Sequence, residues 1–339
     1  MKKHLNWGIV GFGAAGENFL KNFNKKSKSK ITAISSKSRY NLLKNCKNIN
    51  IFKDYEEVFK SNVDIVYVPL VNSLHQKLIK LGIKYNKHIL VEKPSCQTSS
   101  ELEELIPKFK KKKLFLKESI LYLNHPLVDK IIRIINKKLI GSILNINCTY
   151  GFNFAKNKYY FFRNKKSYKK NIFSKSLGGG AIYNYAHYPL SAINIFSPKN
   201  KMLEIENFVS KSFVGHTGVD EYSSLTIKFK SGLESKIKLA INKDLESSLE
   251  ILGEHGSIYV NNPWTPENKF EIKLKLKKKG DKIFSFEAKK SLWSYEINSI
   301  EKDILKGKNE STTRGANLSD SLIYLKIIDK WRKNVFKNK

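Results

Sequence analysis

The feature that most constrains this chain is a glycine-rich segment directly after the first apolar run. Leu5–Val10 predicts a β-strand, and the residues that follow it are Gly11-Phe12-Gly13-Ala14-Ala15-Gly16, spaced Gly-x-Gly-x-x-Gly. Ala14–Asn24 predicts a helix, since its apolar residues share one face. These glycines allow a tight turn, a close backbone approach to a pyrophosphate and close helix–strand packing. The context predicts a dinucleotide-binding loop, the alternative being a glycine-rich turn without a ligand.

The first part of the chain continues this alternation of strands and helices. A helix is predicted over about Ser73–Tyr85 and another after Ser99, where Ser100–Glu103 matches a Ser-x-x-Glu capping box. Further strands are predicted over Ile31–Ile34, Ile65–Val68, His88–Val91 and Leu114–Lys117. Strands that alternate with helices at this spacing indicate an α/β fold with a doubly wound parallel sheet.

The pattern changes near Pro126, so we place a domain boundary between residues 120 and 121. The predicted elements beyond it are a helix over Leu127–Asn136, strands over Ile143–Tyr150, Leu225–Phe229, Leu233–Ile241, Ser248–Gly253 and Phe270–Leu276, and a closing helix over Leu318–Trp331. Phe270–Leu276 alternates apolar residues with lysines, which predicts a half-solvated antiparallel strand at a sheet edge.

The residues after the second predicted strand, Ile31–Ile34, indicate which dinucleotide the chain binds. An acidic residue at this place would bind the ribose 2′-hydroxyl of NAD. Here the chain continues Ser35-Ser36-Lys37-Ser38-Arg39, without a carboxylate. The hydroxyl of Ser36 and the charges of Lys37 and Arg39 suit a 2′-phosphate. We therefore predict NADP as cofactor, with NAD as the alternative. A solvated loop in a lysine-rich chain would give the same pattern.

Charge and composition limit the other functions. The chain has 63 Lys and Arg residues and 30 Asp and Glu residues, a net charge of +33. A charge of this size suggests nucleic acid or a membrane surface as a partner. Only five of the 63 are arginines, and the lysines are spread along the chain. Since arginine is the preferred reader of bases and phosphates, we expect no nucleic-acid partner. No apolar run reaches the ~18 residues of a membrane span, and three scattered cysteines predict no metal site. The expected location is cytoplasmic.

Several short motifs, in order, resemble the Gfo/Idh/MocA oxidoreductase family. Besides the glycine loop they are Asn72-Ser73-Leu74-His75, Glu92-Lys93-Pro94, Glu118 with His125-Pro126, Leu177-Gly178-Gly179-Gly180-Ala181-Ile182 and Asn262-Pro263-Trp264. The resemblance implies an N-terminal Rossmann domain (1–120) and a C-terminal α+β domain (121–339) with a large mixed, mostly antiparallel open sheet. It also implies hydride transfer between a nicotinamide and a sugar or sugar nucleotide, and a homo-oligomer, a dimer or a tetramer. Asn72, His75 and Glu92 are expected to line the cofactor cleft, with Lys93 beside the nicotinamide.

The expected reacting groups are Lys93 and Tyr188. Lys93 follows the carboxyl end of a predicted strand, where open α/β sheets bind ligands, and its ammonium can stabilise charge on the reacting oxygen. Asn184 and Tyr188 are four residues apart and share one helix face. Many relatives carry aspartate at the Asn184 position. Because an amide exchanges no proton, Asn184 orients the substrate and Tyr188 is the predicted acid/base, as in the tyrosine-bearing branch of the family.

Alternatives stay open at each of these positions. Tyr188 could be a packed core aromatic, Lys93 a surface lysine and His75 a donor that fixes its loop. His187, a rival acid/base, points about 100° away from Tyr188 on a helix, and packing is the simpler interpretation. The second function class is a dinucleotide-binding regulatory protein without turnover, which Asn184 favours. The third is a binder of nucleic acid or anionic surfaces, supported by charge alone. The residues around Tyr159–Phe162 suggest a substrate-side loop.

Overall fold

The computed structural model of the chain describes residues 3–23, 29–43, 46, 48–156, 170–197, 204–278 and 280–337. The chain forms two compact units. The first contains Met1–Ile120 and Ser291–Leu322, and the second contains Leu121–Lys290 and Ile323–Lys339. The segment Ser291–Leu322 thus packs with the N-terminal part of the chain, although the sequence between them belongs to the second unit.

The structure contains the predicted elements and several that were not predicted. The strands are β1 (Asn6–Val10), β2 (Lys30–Ser35), β3 (Asn50–Phe52), β4 (Ile65–Val68), β5 (His88–Glu92), β6 (Leu116–Ser119), β7 (Ile143–Gly151), β8 (Ile205–Val214), β9 (Asp220–Phe229), β10 (Glu234–Ala240), β11 (Leu245–Gly253), β12 (Gly256–Asn261), β13 (Lys269–Leu276) and β14 (Gly280–Glu287). The α-helices are α1 (Ala14–Asn22), α2 (Tyr40–Leu43), α3 (Tyr55–Lys60), α4 (His75–Lys84), α5 (Ser99–Lys111), α6 (Pro126–Asn136), α7 (Ala181–Tyr185), α8 (His187–Phe196), α9 (Leu292–Leu305) and α10 (Leu318–Phe336). Among the elements that were not predicted are β3, β8, β12, β14 and α9.

The sheet of the first unit has the order β3-β2-β1-β4-β5-β6, and every pair in it is parallel. All four residues of β4 are buried, as expected for a parallel sheet that is covered on both faces. The strand order reverses beside β1, so the loops after β1 and β4 diverge at this point. In open α/β sheets such a switch point is where ligands bind.

Helix α9 completes the core of the first unit. Ile297 and Ile300 belong to the same buried cluster as Trp7, Phe19 and Tyr67. The Trp7 indole also donates a hydrogen bond of 3.1 Å to the Glu301 carboxylate. Burying such apolar side chains contributes roughly 1.5–3 kcal/mol each, so this part of the first unit depends on a distant stretch of sequence.

Two details of the first unit differ from the sequence predictions. The capping box of α5 consists of Thr98 and Glu101, not of Ser100 and Glu103. Thr98 is extended and its hydroxyl accepts from the Glu101 amide at 3.3 Å, so the helix begins earlier than the Ser100 pattern implies. Strand β6 lies two residues further along than predicted, because it pairs with β5 in the register Leu90 with Lys117.

The sheet of the second unit has eight strands in the order β14-β13-β12-β11-β7-β10-β9-β8. Only β7 and β10 pair in parallel; the other neighbours are antiparallel. The predicted edge position of Phe270–Leu276 is wrong, because β13 pairs with both β12 and β14. Its alternation is nevertheless present, with Phe270, Ile272 and Leu274 buried. The lysine row marks the exposed face of an interior strand. Among the helices that the structure describes, none has the length and apolar content to cross a membrane.

Candidate active site

The three glycines after β1 have different local surroundings. Gly11 has φ +97°, and a β-carbon there would overlap the Leu70 side chain. A β-carbon on Gly16 would lie 2.7 Å from the Gly11 carbonyl oxygen. Both positions therefore require glycine for reasons of conformation or packing.

Gly13 differs, because nothing lies within 4 Å of the place where its β-carbon would be. It is exposed and precedes α1, a helix of nine residues. Of its neighbours, Phe12 and Ala15 are half-buried and Ala14 is exposed. The first N–H groups of a helix have no intrahelical acceptor and carry partial positive charge. The open backbone at Gly13 thus fits the close approach of a dinucleotide pyrophosphate.

The residues predicted to hold a 2′-phosphate follow β2 and already have protein partners. Ser36 is buried and its hydroxyl accepts from the Arg39 amide at 3.0 Å. The Arg39 guanidinium forms an ion pair of 3.0 Å with Glu17, and the Lys37 ammonium lies 4.9 Å from the centre of the Tyr55 ring. An exposed ion pair or an exposed cation–ring contact stabilises the folded chain by at most about 1 kcal/mol. Both cations can therefore exchange these partners for an anionic ligand.

A cleft of about 240 Å³ adjoins Lys37 in the first unit. Tyr55, Leu74 and Leu78 are among its apolar lining residues. Four charged residues also line it, namely Lys37, Lys77, Asp54 and Glu56. The Tyr55 ring and the leucines offer apolar surface for a planar aromatic group.

The loop after β4 supplies two further predicted cofactor residues. Asn72 begins a short 3₁₀ turn, Asn72–Leu74, and is half-buried. His75 is fully buried, with Nδ1 2.6 Å from Pro94 O and Nε2 3.0 Å from Leu70 O. Burial lowers the pKa of His75, which the two carbonyl contacts oppose. His75 therefore ties the loop after β4 to the turn after β5.

Glu92 ends β5 and Lys93 follows it, and both residues are half-buried. The Tyr67 hydroxyl donates a 2.7 Å hydrogen bond to Glu92. Burial raises the pKa of Glu92 and lowers the pKa of Lys93, while the charges of Glu92 and Glu118 hold the Lys93 pKa up. A lysine in this setting can present an ammonium to a developing oxyanion in a partly desolvated site.

In the second unit, the glycines before α7 are required by their surroundings. Gly178 has φ +77°, and a β-carbon on Gly179 would overlap the Ile172 carbonyl. Gly180 has φ +111°, and a β-carbon there would overlap the Asp220 carboxylate. Asp220 is fully buried and accepts from the Ile182 amide at 2.8 Å and from the Ser223 hydroxyl at 3.0 Å. Burial raises the pKa of Asp220 to about 6.

Asn184 and Tyr188 are half-buried, whereas the residues between them are buried. The two residues do not lie in one helix as predicted, because α7 ends at Tyr185 and Tyr188 belongs to α8, with Ala186 between the two helices. That both side chains act on one substrate stays a prediction. The Asn184 amide nitrogen donates a 2.7 Å hydrogen bond to the Gly180 carbonyl. Because a carbonyl oxygen only accepts, this contact fixes the amide orientation and leaves Oδ1 as its acceptor end. His187 is fully buried, with its ring edge-on to Tyr324 at 6.2 Å, which is a packing position.

An aromatic cluster surrounds Tyr188 in the second unit. The rings of Tyr150, Tyr122 and Trp264 lie 5.3, 6.2 and 6.3 Å from the Tyr188 ring. The Tyr122 hydroxyl also lies 3.3 Å from the Tyr188 carbonyl oxygen. These contacts fix the backbone and ring of Tyr188. The aromatic residues of the predicted substrate-side loop, Tyr159–Phe162, lie outside the described residues.

The residues of the first unit fit a nicotinamide dinucleotide on the evidence of the open Gly13 backbone and of Lys93. Within the described ranges, no cluster of three or more His, Cys, Asp or Glu side chains could hold a metal ion.

Comparison with known proteins gives the family. Residues 5–119 match the model described as oxidoreductase family, NAD-binding Rossmann fold. Residues 128–259 match the GFO/IDH/MocA C-terminal domain. The chain belongs to the Gfo/Idh/MocA oxidoreductase family. The predicted family, fold class and nicotinamide cofactor are thereby confirmed, and the chain is an NAD(P)-binding oxidoreductase.

Other members of this family resemble the chain over much or all of its length. A trans-1,2-dihydrobenzene-1,2-diol dehydrogenase from Xenopus tropicalis is 25% identical, over 95% of this chain and 96% of that protein. A dTDP-3,4-didehydro-2,6-dideoxy-alpha-D-glucose 3-reductase from Saccharopolyspora spinosa is also 25% identical, over 65% of this chain and 62% of that protein.

Solved structures share the fold. A 3-ketoreductase from Actinomadura kijaniata, solved with NADP and TDP-benzene, superposes with a TM-score of 0.84 at 19% identity and covers 97% of both chains. An aldose-aldose oxidoreductase from Caulobacter crescentus, complexed with glycerol, has a TM-score of 0.82 at 18% identity and covers 99% of both chains.

Three residues that contact the site were not predicted as site residues. Asp220 lies next to Gly180, Glu118 binds the turn after β5, and Glu17 forms an ion pair with Arg39. Asp220 and Glu118 carry a signal that could have found them. Each is a carboxylate inside or beginning a strand, where acidic residues are disfavoured unless a specific partner holds them. The partner of Glu17 is distant in sequence, and no local pattern indicates it.

Proposed function

We propose that the chain is an NADP(H)-preferring sugar dehydrogenase or ketoreductase, in which residues 1–120 hold the dinucleotide. Residues 121–339, apart from the Ser291–Leu322 segment that packs in the first unit, bind the substrate and form the oligomer contacts. The substrate class is a sugar or a sugar nucleotide, reacting at a carbinol or ketone carbon. Family membership supports the reaction class, and the names of the dTDP-sugar 3-reductase and 3-ketoreductase relatives support the substrate class.

The geometry of the first unit supports the proposed dinucleotide contacts. The backbone at Gly13 receives the pyrophosphate, and the cleft beside Lys37 receives the adenine ring. Ser36, Lys37 and Arg39 hold the 2′-phosphate, for which Arg39 exchanges its ion pair with Glu17. Charge-assisted hydrogen bonds to a phosphate dianion are stronger than an exposed ion pair.

The observation that carries the proposed reaction is the position of Lys93. It is half-buried directly after β5, and the charges of Glu92 and Glu118 oppose the lowering of its pKa by burial. When bound, the nicotinamide ring of the cofactor supplies or accepts the hydride. Lys93 stabilises negative charge on the reacting oxygen, and Tyr188 gives that oxygen a proton or takes one from it. Asn184 accepts a hydrogen bond from a neighbouring substrate hydroxyl through Oδ1, since its nitrogen is held by Gly180.

A second candidate function is dinucleotide binding without turnover, in a regulatory role. The observation that favours it is the amide at Asn184, which is held by its own helix and exchanges no proton. Under this hypothesis NADPH binds but is not oxidised with any sugar.

The proposal is tested by mixing the protein with NADPH and a panel of keto sugars, free and nucleotide-linked. We expect NADPH oxidation with at least one of them. Tyr188→Phe should lower kcat by about 10²–10⁴-fold, the usual contribution of a positioned acid/base. Tyr185→Phe is the matched control, because the Tyr185 hydroxyl is buried without a hydrogen-bond partner among the described residues. Binding of NADPH without oxidation across the panel would favour the regulatory candidate, and normal turnover by Tyr188→Phe would remove the assigned acid/base.

The exposed side chains of Val209 and Phe213 on the edge strand β8 support the proposed homo-oligomer. The cytoplasmic location stays a prediction.

A further inference from the structure

Two buried side chains from different elements hold the turn that carries Lys93. His75 at the start of α4 contacts the Pro94 carbonyl oxygen. Glu118 in β6 accepts a hydrogen bond of 2.5 Å from the Ser95 amide. The backbone on the carboxyl side of Lys93 is therefore fixed at two successive residues, and one of the two anchors is a carboxylate.

The carboxylate of Glu118 is almost fully buried, with an exposed fraction of 1%. Its other oxygen accepts a 2.9 Å hydrogen bond from the Ser321 hydroxyl. Burying a carboxylate is unfavourable unless hydrogen bonds and an opposite charge compensate for it. Burial raises the pKa of Glu118, whereas the hydrogen bonds from Ser95 and Ser321 and the charge of Lys93 hold that pKa down.

We propose that Glu118 is a positioning residue for Lys93: it holds the Lys93–Ser95 turn and supplies negative charge that keeps the Lys93 ammonium protonated. This inference rests on the proposed function for the use that the enzyme makes of Lys93. The groups that act on this pair are the Glu92 carboxylate, which also favours the ammonium, and the buried His75. Glu118 differs from Glu92 because it also accepts a hydrogen bond from the Ser95 amide. One side chain therefore affects both the position of the Lys93 backbone and the charge state of the Lys93 amine.

Two variants separate the charge of Glu118 from its hydrogen bonds. Glu118→Gln removes the charge but can keep both contacts, since its carbonyl can accept from the Ser95 amide while its amide donates to the Ser321 hydroxyl. Ser321→Ala removes one hydrogen bond and leaves the charge in place. Neither variant introduces a larger side chain, and circular dichroism would show that both are folded.

The experiment measures the pH dependence of Lys93 modification by an amine reagent in the full chain, with the Lys93 peptide read by mass spectrometry. Only the unprotonated amine reacts, so the midpoint reports the Lys93 pKa without any need for turnover. We expect Glu118→Gln to shift this midpoint to lower pH by about one unit, the size of effect that a nearby charge has in a partly buried site. Ser321→Ala should leave the midpoint close to that of the wild type.

Activity gives the second measurement. If Lys93 must be protonated for turnover, kcat falls at high pH as Lys93 loses its proton. In Glu118→Gln this fall should begin at a lower pH than in the wild type, by the same amount as the shift of the Lys93 midpoint. In Ser321→Ala it should begin at the wild-type pH. Coincident Lys93 midpoints in Glu118→Gln and wild type would overturn the inference. A shifted midpoint in a protein that oxidises NADPH with no sugar would instead support the role of Glu118 and contradict the proposed function, so the two failures are distinguishable.

Discussion

Replacing Gly13 by alanine should separate dinucleotide binding from folding. The residue has φ −88° and ψ −163°, a conformation that alanine adopts without strain. No atom lies within 4 Å of the new β-carbon, so the methyl group meets only open space in the folded chain. Under the proposed function, that space is the approach to the pyrophosphate.

The magnitudes follow from these surroundings. Alanine restricts the unfolded chain, which stabilises a protein by about 0.4–1 kcal/mol, and it is a poorer N-cap than glycine by a similar amount. The two effects nearly cancel. A methyl group that displaces the pyrophosphate weakens charge-assisted hydrogen bonds of about 1.5–3 kcal/mol each. Losing one of them lowers NADPH affinity by about 10- to 100-fold.

Gly16→Ala is the matched comparison. Its β-carbon would lie 2.7 Å from Gly11 O and 3.3 Å from a Pro69 side-chain carbon. Overpacking of this kind costs about 1–3 kcal/mol. Urea unfolding measures the stability of both variants, and NADPH titrations followed by fluorescence measure their cofactor affinity. Wild-type NADPH affinity in Gly13→Ala would refute the assignment of this loop to the pyrophosphate. A large loss of stability in that variant would contradict the open surroundings of Gly13.

Other predictions concern cofactor choice and pH. The Lys37→Ala/Arg39→Ala double variant should lose the preference for NADPH over NADH in kcat/KM, and an unchanged ratio would contradict the assigned 2′-phosphate contacts. Asp220 has a folded pKa of about 6, above the unfolded value of about 3.9. Its contribution to stability is therefore fully present below about pH 4 and is lost as pH rises through about 6, by about 3 kcal/mol. Asp220→Asn should remove this part of the pH dependence in urea unfolding measured between these pH values, and parallel curves for the two proteins would refute the buried, raised-pKa assignment.

The sequence predicted the parallel sheet well because its signals are local. Ile65–Val68 is an apolar run that becomes a fully buried strand, and the glycine loop needs only its neighbours to be recognised. These predictions required no knowledge of which distant segments meet. The predicted single helix through Asn184 and Tyr188 is divided at Ala186, so the i, i+4 rule did not describe this stretch in full.

Long-range packing accounts for what the sequence did not predict. The segment Ser291–Leu322 packs in the first unit partly through buried polar contacts, such as the Ser119 hydroxyl with Glu296 at 2.7 Å. Strand β14 is mostly exposed along its length, so it lacks the burial signal that would distinguish it from a loop and show that β13 is not an edge. The anchoring of the Lys93 turn by Glu118 depends on pairing between β5 and β6, which no pattern within either strand specifies.

The most direct test of the proposed reaction is isotope transfer from NADPH that is deuterated at the transferring position of the nicotinamide. With a keto sugar that the panel identifies as a substrate, we predict that the wild type places one deuterium on the new carbinol carbon. With saturating NADPH, Lys93→Met and Tyr188→Phe should transfer deuterium at least about 100-fold more slowly than the wild type. Transfer at the wild-type rate by either variant, or no transfer by the wild type to any sugar, would contradict the account.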